Sequence, residues 1–237
     1  MKNIELGATG EFLVPGKFPH KTEKEHFERY VFASKFAQNK SVLDIACGVG
    51  YGCKILFEAG ASSVEGVDIS EKLINYAKQN YQNDKIKFNC YSIYDLEKKK
   101  EYDLITCFET IEHVQDDRAA LRKLHDALKE DGYLIISTPN RRITSPKAKK
   151  ITDKPSNPYH TREYLLKEFI QVLKESKFNV IDIYGQRNRI VFPSLILNRI
   201  LNKVIRLDYI TNAQPKKFRL AEARYFTLVL KKSSNKN

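Results

Sequence analysis

Short apolar runs alternate with amphipathic helical segments from residue 40 onward, and this alternation constrains the fold more than any other feature of the sequence. The runs are typical of strands, and several, such as YLIIS, are apolar throughout, as in strands that are buried on both faces. The predicted strands are 40–46, 63–69, 86–92, 102–109, 132–138, 178–186 and 224–232. The sequence therefore predicts an α/β fold with a mostly parallel sheet and helices on both faces.

The helices that separate these strands carry recognisable start signals and apolar faces. A helix to about Glu58 follows a glycine-rich turn, and Ser70 is a suitable N-cap for a second helix at 71–81. Two more helices are expected at 117–129 and 161–176. The first 39 residues resemble a helical N-terminal cap, so the predicted organisation is a cap at 1–39 and a main domain at 40–237 with an insertion at 187–223.

Composition excludes several classes of protein. The chain has 237 residues, of which 42% are hydrophobic and 30% charged, with 13 Phe and 13 Tyr, so it is not a low-complexity disordered chain. No run approaches the length of a membrane-spanning helix, and the polar N-terminus is unlike a secretory signal. The four cysteines have neither CxxC nor metal-ligand spacing, so we expect a reduced, cytoplasmic protein.

The net charge of +12 is concentrated at one end of the chain. Residues 187–237 contain 12 Lys and Arg against Asp208 and Glu222, which leaves +2 for residues 1–186. Within this segment, 194–207 is predicted to form a basic amphipathic helix. Three alternatives stay open for it: a lid or homodimer element, a helix lying on a membrane surface, or a patch for an anionic substrate or nucleic acid, of which nucleic acid is disfavoured because no aromatic residues are interleaved.

The segment VLDIACGVGYG (42–52) is the most informative motif. A strand leads into three glycines and then a helix, the arrangement that lets backbone approach a ligand closely. Asp68 ends the second strand, where a carboxylate can accept both hydroxyls of a ribose. Asp44 would repel a pyrophosphate, which argues against a dinucleotide and favours a ligand with positive charge, such as S-adenosylmethionine.

Together with FETIEHV (108–114), these motifs resemble the class I S-adenosylmethionine-dependent methyltransferases over roughly residues 10–186. The resemblance implies a Rossmann-like seven-stranded sheet whose last strand is antiparallel. It also implies that S-adenosyl-L-methionine is the cofactor. By the same resemblance the cofactor-binding residues are Tyr30, Asp44, Ala46, Gly48, Gly50, Asp68, Ile69, Ser92, Ile93, Phe108 and Glu109.

The Glu-His pair after the fourth strand is the predicted catalytic centre. Relatives that methylate hydroxyl groups favour His113 as the general base, and a histidine has a suitable pKa for this task. Glu112 or Glu109 would orient the imidazole or help to hold the acceptor. A helix-capping or packing role for His113 is the alternative. Glu112 with Asp116 or Asp117 could in principle bind a divalent ion, but carboxylates at helix starts are common, so no metal is predicted.

Further motifs resemble a bacterial subgroup of these methyltransferases that is associated with sugar and polysaccharide biosynthesis. They are Glu-Arg-Tyr before the core, ACGVGYG, STPN, NPYHTREY and YGQR. The subgroup implies O-methylation of a sugar or glycan precursor, with a nucleotide or a lipid as candidate carriers, and with Glu11, His160 and Arg162 binding the acceptor. The alternatives are a quinone- or phenol-type O-methyltransferase and, less favoured, an RNA-directed methyltransferase.

Overall fold

The computed structural model describes residues 13–17, 20–190, 194, 197 and 221–233. These residues form seven strands: β1 Ser41–Ile45, β2 Ser63–Asp68, β3 Ile86–Cys90, β4 Tyr102–Phe108, β5 Leu128–Pro139, β6 Phe178–Ile190 and β7 Ala221–Lys232. The helices are α1 His20–Ser34, α2 Tyr51–Glu58, α3 Glu71–Tyr81, α4 Asp117–Ala127, α5 Arg141–Thr144 and α6 Leu166–Glu175. The predicted Glu11 and nearly all of the predicted helix 194–207 lie outside the described residues.

The strands form one sheet in the order β3-β2-β1-β4-β5-β7-β6. β1 pairs in parallel with β2 and with β4, β2 pairs in parallel with β3, and β6 pairs antiparallel with β7. This confirms the predicted fold class, a Rossmann-like, mostly parallel sheet of seven strands with an antiparallel last strand. The strand order reverses at β1 and β4, and open α/β sheets bind ligands beyond the carboxyl ends of the strands at such a point.

The described chain divides into two compact units, which are presented separately below. The first comprises the described residues up to Phe108 together with Ala119–Ile135, and the second comprises Glu109–Arg118 and the described residues from Ile136 onward. The first unit is built on the apolar side chains of β1 and β4, where Leu43, Leu104 and Ile105 are fully buried. In the second, Phe169 of α6 and Leu228 of β7 are fully buried.

Most predicted elements are found where the sequence places them. Ser70 caps α3, since its hydroxyl accepts from the Leu73 N–H at 3.4 Å. The helix predicted at 117–129 ends two residues early, at Ala127, and β5 begins directly at Leu128. The cause is a tertiary one: the Lys100 and Glu101 N–H groups donate to the Asp126 and Ala127 carbonyls at 2.8 and 2.9 Å, and thereby satisfy the end of the helix.

The helix predicted from residue 161 starts only at Leu166. The preceding residues are held in extended backbone, because the Thr161 N–H donates to the Glu112 carbonyl at 2.8 Å and Tyr164 forms a parallel bridge with Asn140. The Leu165 N–H donates to the Glu168 carboxylate at 2.8 Å and marks the start of α6.

In the predicted N-terminal cap, α1 confirms the expected helix, while the domain boundaries at 39, 187 and 223 stay predictions. Cys47, Cys53 and Cys107 are buried and Cys90 is exposed. Across the described parts of the chain, no helix combines the length and apolar character needed to cross a membrane.

Candidate active site

The glycine loop between β1 and α2 has a backbone that ordinary side chains would not tolerate. Gly50 has φ 85° and stands at the N-terminus of α2. A Cβ at Gly50 would lie 2.8 Å from the Ala77 Cβ and from the Phe88 ring, so the turn requires glycine. Ala46, predicted to bind the cofactor, also has a positive φ of 58°. Strained backbone of this kind is concentrated at functional sites.

Asp44 is a buried carboxylate of the first unit that several side chains surround. It is fully buried on β1, and its carboxylate accepts hydrogen bonds from the Thr106 hydroxyl at 2.6 Å and from the Tyr30 hydroxyl at 3.0 Å. The Cys53 thiol lies 3.5 Å from the same carboxylate. Burial raises the pKa of Asp44 to about 6, although these hydrogen bonds act in the opposite direction. Such a carboxylate is suited to a cationic ligand.

Thr106 and Cys53 were not predicted as site residues. Thr106 stands directly opposite Asp44 in the β1–β4 register. A polar residue inside the apolar run YDLITCF was the signal that could have identified it.

Asp68 at the end of β2 is held by backbone N–H groups. One carboxylate oxygen accepts from Gly48 and the other from Ser70, both at 2.9 Å. Burial raises the pKa of Asp68, whereas the hydrogen bonds from Ser70 and Gly48 lower it. A carboxylate has about four acceptor positions, so the oriented group keeps capacity for two ribose hydroxyls. Gly48 and Asp68, both predicted to bind the cofactor, are thus joined by a direct hydrogen bond.

An aromatic cluster surrounds Tyr30 of α1. The Tyr30 ring meets the Tyr51 and Phe108 rings edge-on, with centroids 5.4 and 5.1 Å apart, and Phe27 stacks on Tyr51. On the same helix face, burial and then the charge of Arg29 lower the pKa of His26 to about 3. The face at 26, 29 and 30 is therefore packed into the first unit, and its Tyr30 hydroxyl reaches Asp44.

Three further predicted cofactor-binding residues are Ile69, Ser92 and Ile93. Ser92 caps a short 3-10 turn at Ile93–Asp95, and the Asp95 carboxylate accepts from the Ser92 N–H at 3.3 Å. Ile93 is buried, whereas the Ile69 side chain is 77% exposed. Asp95 therefore takes part in the local capping box.

Glu109 begins the second unit in a strained conformation. Its φ is 49°, and its N–H donates to the Ser137 carbonyl at 3.1 Å. The Ser137 hydroxyl donates in return to the Glu109 carboxylate at 2.6 Å. These bonds fix the start of the FETIEHV segment at the end of β4.

Glu112 is almost completely buried, with 1% exposure. The Thr138 hydroxyl donates to its carboxylate at 3.0 Å. Burial, followed by the negative charge of Glu109, raises the pKa of Glu112 well above its usual range. A carboxyl group with so strongly shifted a pKa is typical of a functional site.

His113 is partly exposed, and its orientation is set by the backbone. Its Nδ1 lies 3.0 Å from the Tyr159 carbonyl oxygen. A carbonyl can only accept, so Nδ1 carries the proton and Nε2 is the lone-pair nitrogen of the neutral ring. The His160 ring packs edge-on against His113, with ring centroids 4.8 Å apart.

His160 belongs to a hydrogen-bonded chain of side chains. Its Nδ1 lies 2.7 Å from the Glu163 carboxylate and its Nε2 lies 2.8 Å from the Asn157 amide nitrogen. The Asn157 amide oxygen accepts from the Tyr159 N–H at 3.1 Å, which fixes the orientation of that amide. With the Asn157 amide nitrogen directed at Nε2, the ring proton that bonds to Glu163 is on Nδ1. Asn157 and Glu163 were not predicted, because sequence spacing alone does not show that the loop folds back on itself.

Arg162 is engaged within the protein. Its guanidinium donates to the Val114 carbonyl at 3.3 Å and to the Gln115 carbonyl, and it forms an ion pair with Asp117 at 3.3 Å. Asp117 also accepts from the Tyr164 hydroxyl at 2.7 Å. Arg162 thus fixes the segment that follows His113.

One group of side chains in the second unit has the composition of a metal site. Potential ligand atoms of Glu112, His113 and His160 all lie within 4.8 Å of one another. From the sequence, Glu112 was considered with Asp116 or Asp117 as a metal ligand. The structure instead brings Glu112 together with two histidines.

Comparisons with known proteins agree on the family. A family model described as a methyltransferase domain matches residues 18–183. A probable S-adenosylmethionine-dependent methyltransferase of Mycolicibacterium smegmatis is 30% identical over 184 residues, which cover 76% of this chain and 68% of that protein. A ubiquinone biosynthesis O-methyltransferase of Coxiella burnetii is 36% identical over 116 residues, and the match spans about half of each protein, 48% of this chain and 49% of the relative.

A solved S-adenosylmethionine-dependent methyltransferase of Clostridium acetobutylicum has the same fold. It superimposes with a TM-score of 0.60 at 15% identity and covers 93% of this chain and 95% of its own. At that identity the likeness concerns the fold alone. Together with the family model and the mycobacterial relative, it leads to one conclusion: the chain belongs to the class I S-adenosylmethionine-dependent methyltransferases, and S-adenosylmethionine is its cofactor.

Proposed function

We propose that this methyltransferase transfers the methyl group of S-adenosylmethionine to a hydroxyl oxygen of a sugar or glycan precursor. The observation that carries the proposal is the state of His113, whose Nδ1–H is bonded to the Tyr159 carbonyl at 3.0 Å. This arrangement makes Nε2 the basic nitrogen, next in sequence to the buried Glu112. A hydroxyl acceptor needs such a base, because its proton must leave as the oxygen attacks.

In the proposed step the acceptor oxygen attacks the sulfonium methyl group in line. An O–C bond forms, the S–C bond breaks, and its electron pair returns to sulfur to give S-adenosylhomocysteine. The hydroxyl proton passes to His113 Nε2, and the resulting imidazolium keeps its Nδ1–H bond to Tyr159. The remaining contribution of the protein is to align the two reactants.

In the first unit, we assign Asp44 to the cationic methionine part of the cofactor and Asp68 to its ribose. The raised pKa and complete burial of Asp44 support this assignment, because a cationic ligand would favour the ionised form of that carboxyl. The two backbone donors that orient Asp68 support the ribose role. Ser92 and Ile93 remain predicted cofactor contacts.

The sugar assignment is supported by the polar character of the second unit around His113. Glu109, Glu112 and Asn157 also bond within the protein, and their further donor and acceptor positions suit an acceptor with several hydroxyls. His160 and Arg162 already bond within the protein, so for them the geometry favours a positioning role before the acceptor binds. Glu11 remains a predicted acceptor contact.

A phenolic hydroxyl of a quinone precursor is the second candidate acceptor. Relatives named as ubiquinone biosynthesis O-methyltransferases favour it, with 36% identity over 116 residues in one case and 32% over 112 residues in another. The same proton transfer to His113 would serve this chemistry. For either acceptor we propose a cytoplasmic enzyme. Homodimer formation and peripheral membrane contact through 194–207 stay predictions.

Release of S-adenosylhomocysteine from the full chain tests the proposal with two acceptor panels, nucleotide- and lipid-linked sugars in one and dihydroxyphenols in the other. We expect turnover with a sugar, and a decrease of at least about 100-fold in His113→Ala, since general bases contribute about 10²–10⁴-fold. Calorimetry should show unchanged cofactor binding in that variant. His125→Ala on α4 is the matched control and should keep full activity.

Each alternative has a distinct signature in this experiment. Turnover with phenols and none with sugars would replace the first acceptor by the second. Near-normal turnover of His113→Ala with intact cofactor binding would overturn the role of His113.

A further inference from the structure

We propose that Glu112, His113 and His160 form a binding site for a divalent transition-metal cation such as Zn²⁺. The role of the ion in the reaction rests on the proposed function, whereas the binding of the ion is independent of that function. The ligand atoms of the three side chains lie within 4.8 Å of one another and belong to the same unit. Ligands about 2.1 Å from one tetrahedral ion lie about 3.4 Å apart, so the widest separation in this set would contract by up to about 1.4 Å when an ion binds.

The donor set indicates the class of ion. Two imidazole nitrogens and one carboxylate oxygen suit Zn²⁺ and its transition-metal neighbours better than Mg²⁺ or Ca²⁺, which prefer oxygen ligands. Three protein ligands leave a coordination position for a water or a substrate, which is the arrangement of catalytic rather than structural sites. The partly exposed His113 leaves the centre accessible to such a molecule.

The hydrogen bonds behind the two histidines strengthen the inference. Metal-ligating histidines characteristically donate their second ring N–H to a backbone carbonyl or a carboxylate. His113 directs Nδ1 at the Tyr159 carbonyl at 3.0 Å, and His160 directs Nδ1 at the Glu163 carboxylate at 2.7 Å. Both rings therefore hold their protons on Nδ1 and present Nε2 as the ligand atom.

Glu112 supplies the third ligand of the proposed site, a carboxylate oxygen. Its carboxylate is oriented by the Thr138 hydroxyl at 3.0 Å, as the carboxylate ligands of metals usually are. The negative charges of Glu109 and Glu163 also act on Glu112. Carboxylates gathered in a buried environment attract a cation.

Asn157 is the group that an ion would displace. Its amide nitrogen lies 2.8 Å from His160 Nε2 and donates to the lone pair that the ion would use. The Asn157 amide is held in this orientation by the Tyr159 N–H. Removal of this side chain should therefore leave metal affinity equal or higher, whereas removal of a ligand should lower it.

A bound ion would keep the methyl transfer of the proposed reaction but change which group receives the hydroxyl proton. Its open position would take the acceptor hydroxyl oxygen and lower the pKa of that hydroxyl. His113 Nε2 would then be a ligand, and the proton would leave to solvent instead of to the ring. The bonds made and broken at the methyl group are unchanged: O–C forms and S–C breaks.

Calorimetric titration of the chelator-treated, tag-free full chain with Zn²⁺ tests the site, with Mg²⁺ for comparison. We expect one equivalent of Zn²⁺ and at least about tenfold weaker binding of Mg²⁺. His113→Ala, His160→Ala and Glu112→Gln should each weaken Zn²⁺ binding by about 100-fold or more. Glu163→Gln should weaken it by about 10–100-fold, the usual effect of losing a group that orients a ligand.

Asn157→Ala and His125→Ala are the controls that should retain Zn²⁺ binding. Circular dichroism and urea unfolding of every variant separate loss of a ligand from loss of the fold. Absence of one-equivalent binding to the wild-type chain would overturn the site. Binding that persists in a folded His160→Ala variant would do the same.

The metal site and the proposed function can fail independently. Sustained methylation of a hydroxyl by metal-free protein in chelator, together with no Zn²⁺ binding, would remove the ion and leave the function standing. One-equivalent Zn²⁺ binding that depends on the three ligands supports the site whether or not any hydroxyl acceptor is methylated.

Discussion

Replacement of Asp44 by asparagine should stabilise the cofactor-free protein while it impairs cofactor binding. The wild-type carboxylate is fully buried on β1, and burial raises its pKa to about 6. Asparagine has nearly the same shape, and an amide oxygen at the Oδ1 position can accept from the Thr106 hydroxyl at 2.6 Å and from the Tyr30 hydroxyl at 3.3 Å. The substitution therefore removes a buried charge with little change in packing.

The magnitude follows from proton linkage. The unfolded pKa of Asp44 is near 3.8 and the folded pKa is about 6, and each unit corresponds to about 1.36 kcal/mol. Because the folded pKa is the higher one, ionisation disfavours the folded state, and this penalty grows from near zero below pH 4 to about 3 kcal/mol above pH 6. An asparagine side chain cannot ionise, so Asp44→Asn should raise the free energy of unfolding by about 3 kcal/mol at pH 8 and by less than about 1 kcal/mol at pH 4.

Urea unfolding of the two proteins at pH 8 and pH 4 measures this difference. Asp126→Asn on the exposed side of α4 is a matched control, and its effect should be small at both pH values. Calorimetry with S-adenosylmethionine should show that Asp44→Asn weakens binding by at least about tenfold, because a hydrogen bond to a charged group contributes about 1.5–3 kcal/mol. Equal changes in unfolding free energy at the two pH values, or unchanged cofactor affinity, would refute the reasoning.

Three further substitutions test other parts of the account. Gly52→Ala should lower the free energy of unfolding by about 1–3 kcal/mol in urea and weaken cofactor binding, because its Cβ would lie 2.1 Å from the Tyr30 ring; unchanged stability would contradict this packing. Tyr30→Phe removes one donor to the buried Asp44 carboxylate but keeps the ring, so at pH 8 it should lower the free energy of unfolding by about 1.5–3 kcal/mol and weaken cofactor binding, and equal stability and affinity would count against it. Arg141→Leu should lower the free energy of unfolding by about 2–3 kcal/mol, because the buried guanidinium makes two 2.7 Å bonds to the Glu168 carboxylate; a neutral effect would show that this ion pair adds no net stability.

The local geometry of the glycine loop, Asp44 and Asp68 could largely be predicted from the sequence. Asp44 and Asp68 lie near the carboxyl ends of two predicted strands, and the glycine loop follows the first of them. The carboxyl ends of parallel strands meet at one sheet edge. Ser70 was also identifiable, because its capping bond is made within three residues. Local patterns of this kind determine local geometry directly.

The environment of His113 was not accessible in the same way. Its Nδ1 partner is a backbone carbonyl 46 residues later, and a carbonyl has no signature in the sequence. The chain Asn157–His160–Glu163 depends on how the loop after β5 folds, which tertiary contacts with Thr144 and Glu112 determine. For the same reason the sequence predicted His160 and Arg162 as acceptor contacts, whereas the structure shows their polar groups bonded within the protein.

The C-terminal end of α4 is also determined by residues that are distant in the sequence. The 117–129 segment has good helical periodicity, but the Lys100 and Glu101 N–H groups take the last helical carbonyls and β5 starts at once. Periodicity predicts that a helix exists, and distant partners decide where it ends.

The most direct test of the central claim is the position of the transferred methyl group. Full-length protein is incubated with S-adenosylmethionine that carries a deuterated methyl group and with the best sugar acceptor, and the product is analysed by mass spectrometry and NMR. The account predicts one deuterated methyl ether on a hydroxyl oxygen, with its formation lost in His113→Ala and kept in His125→Ala. A label attached to nitrogen or carbon, or a methyl ether that forms equally in His113→Ala, would contradict it.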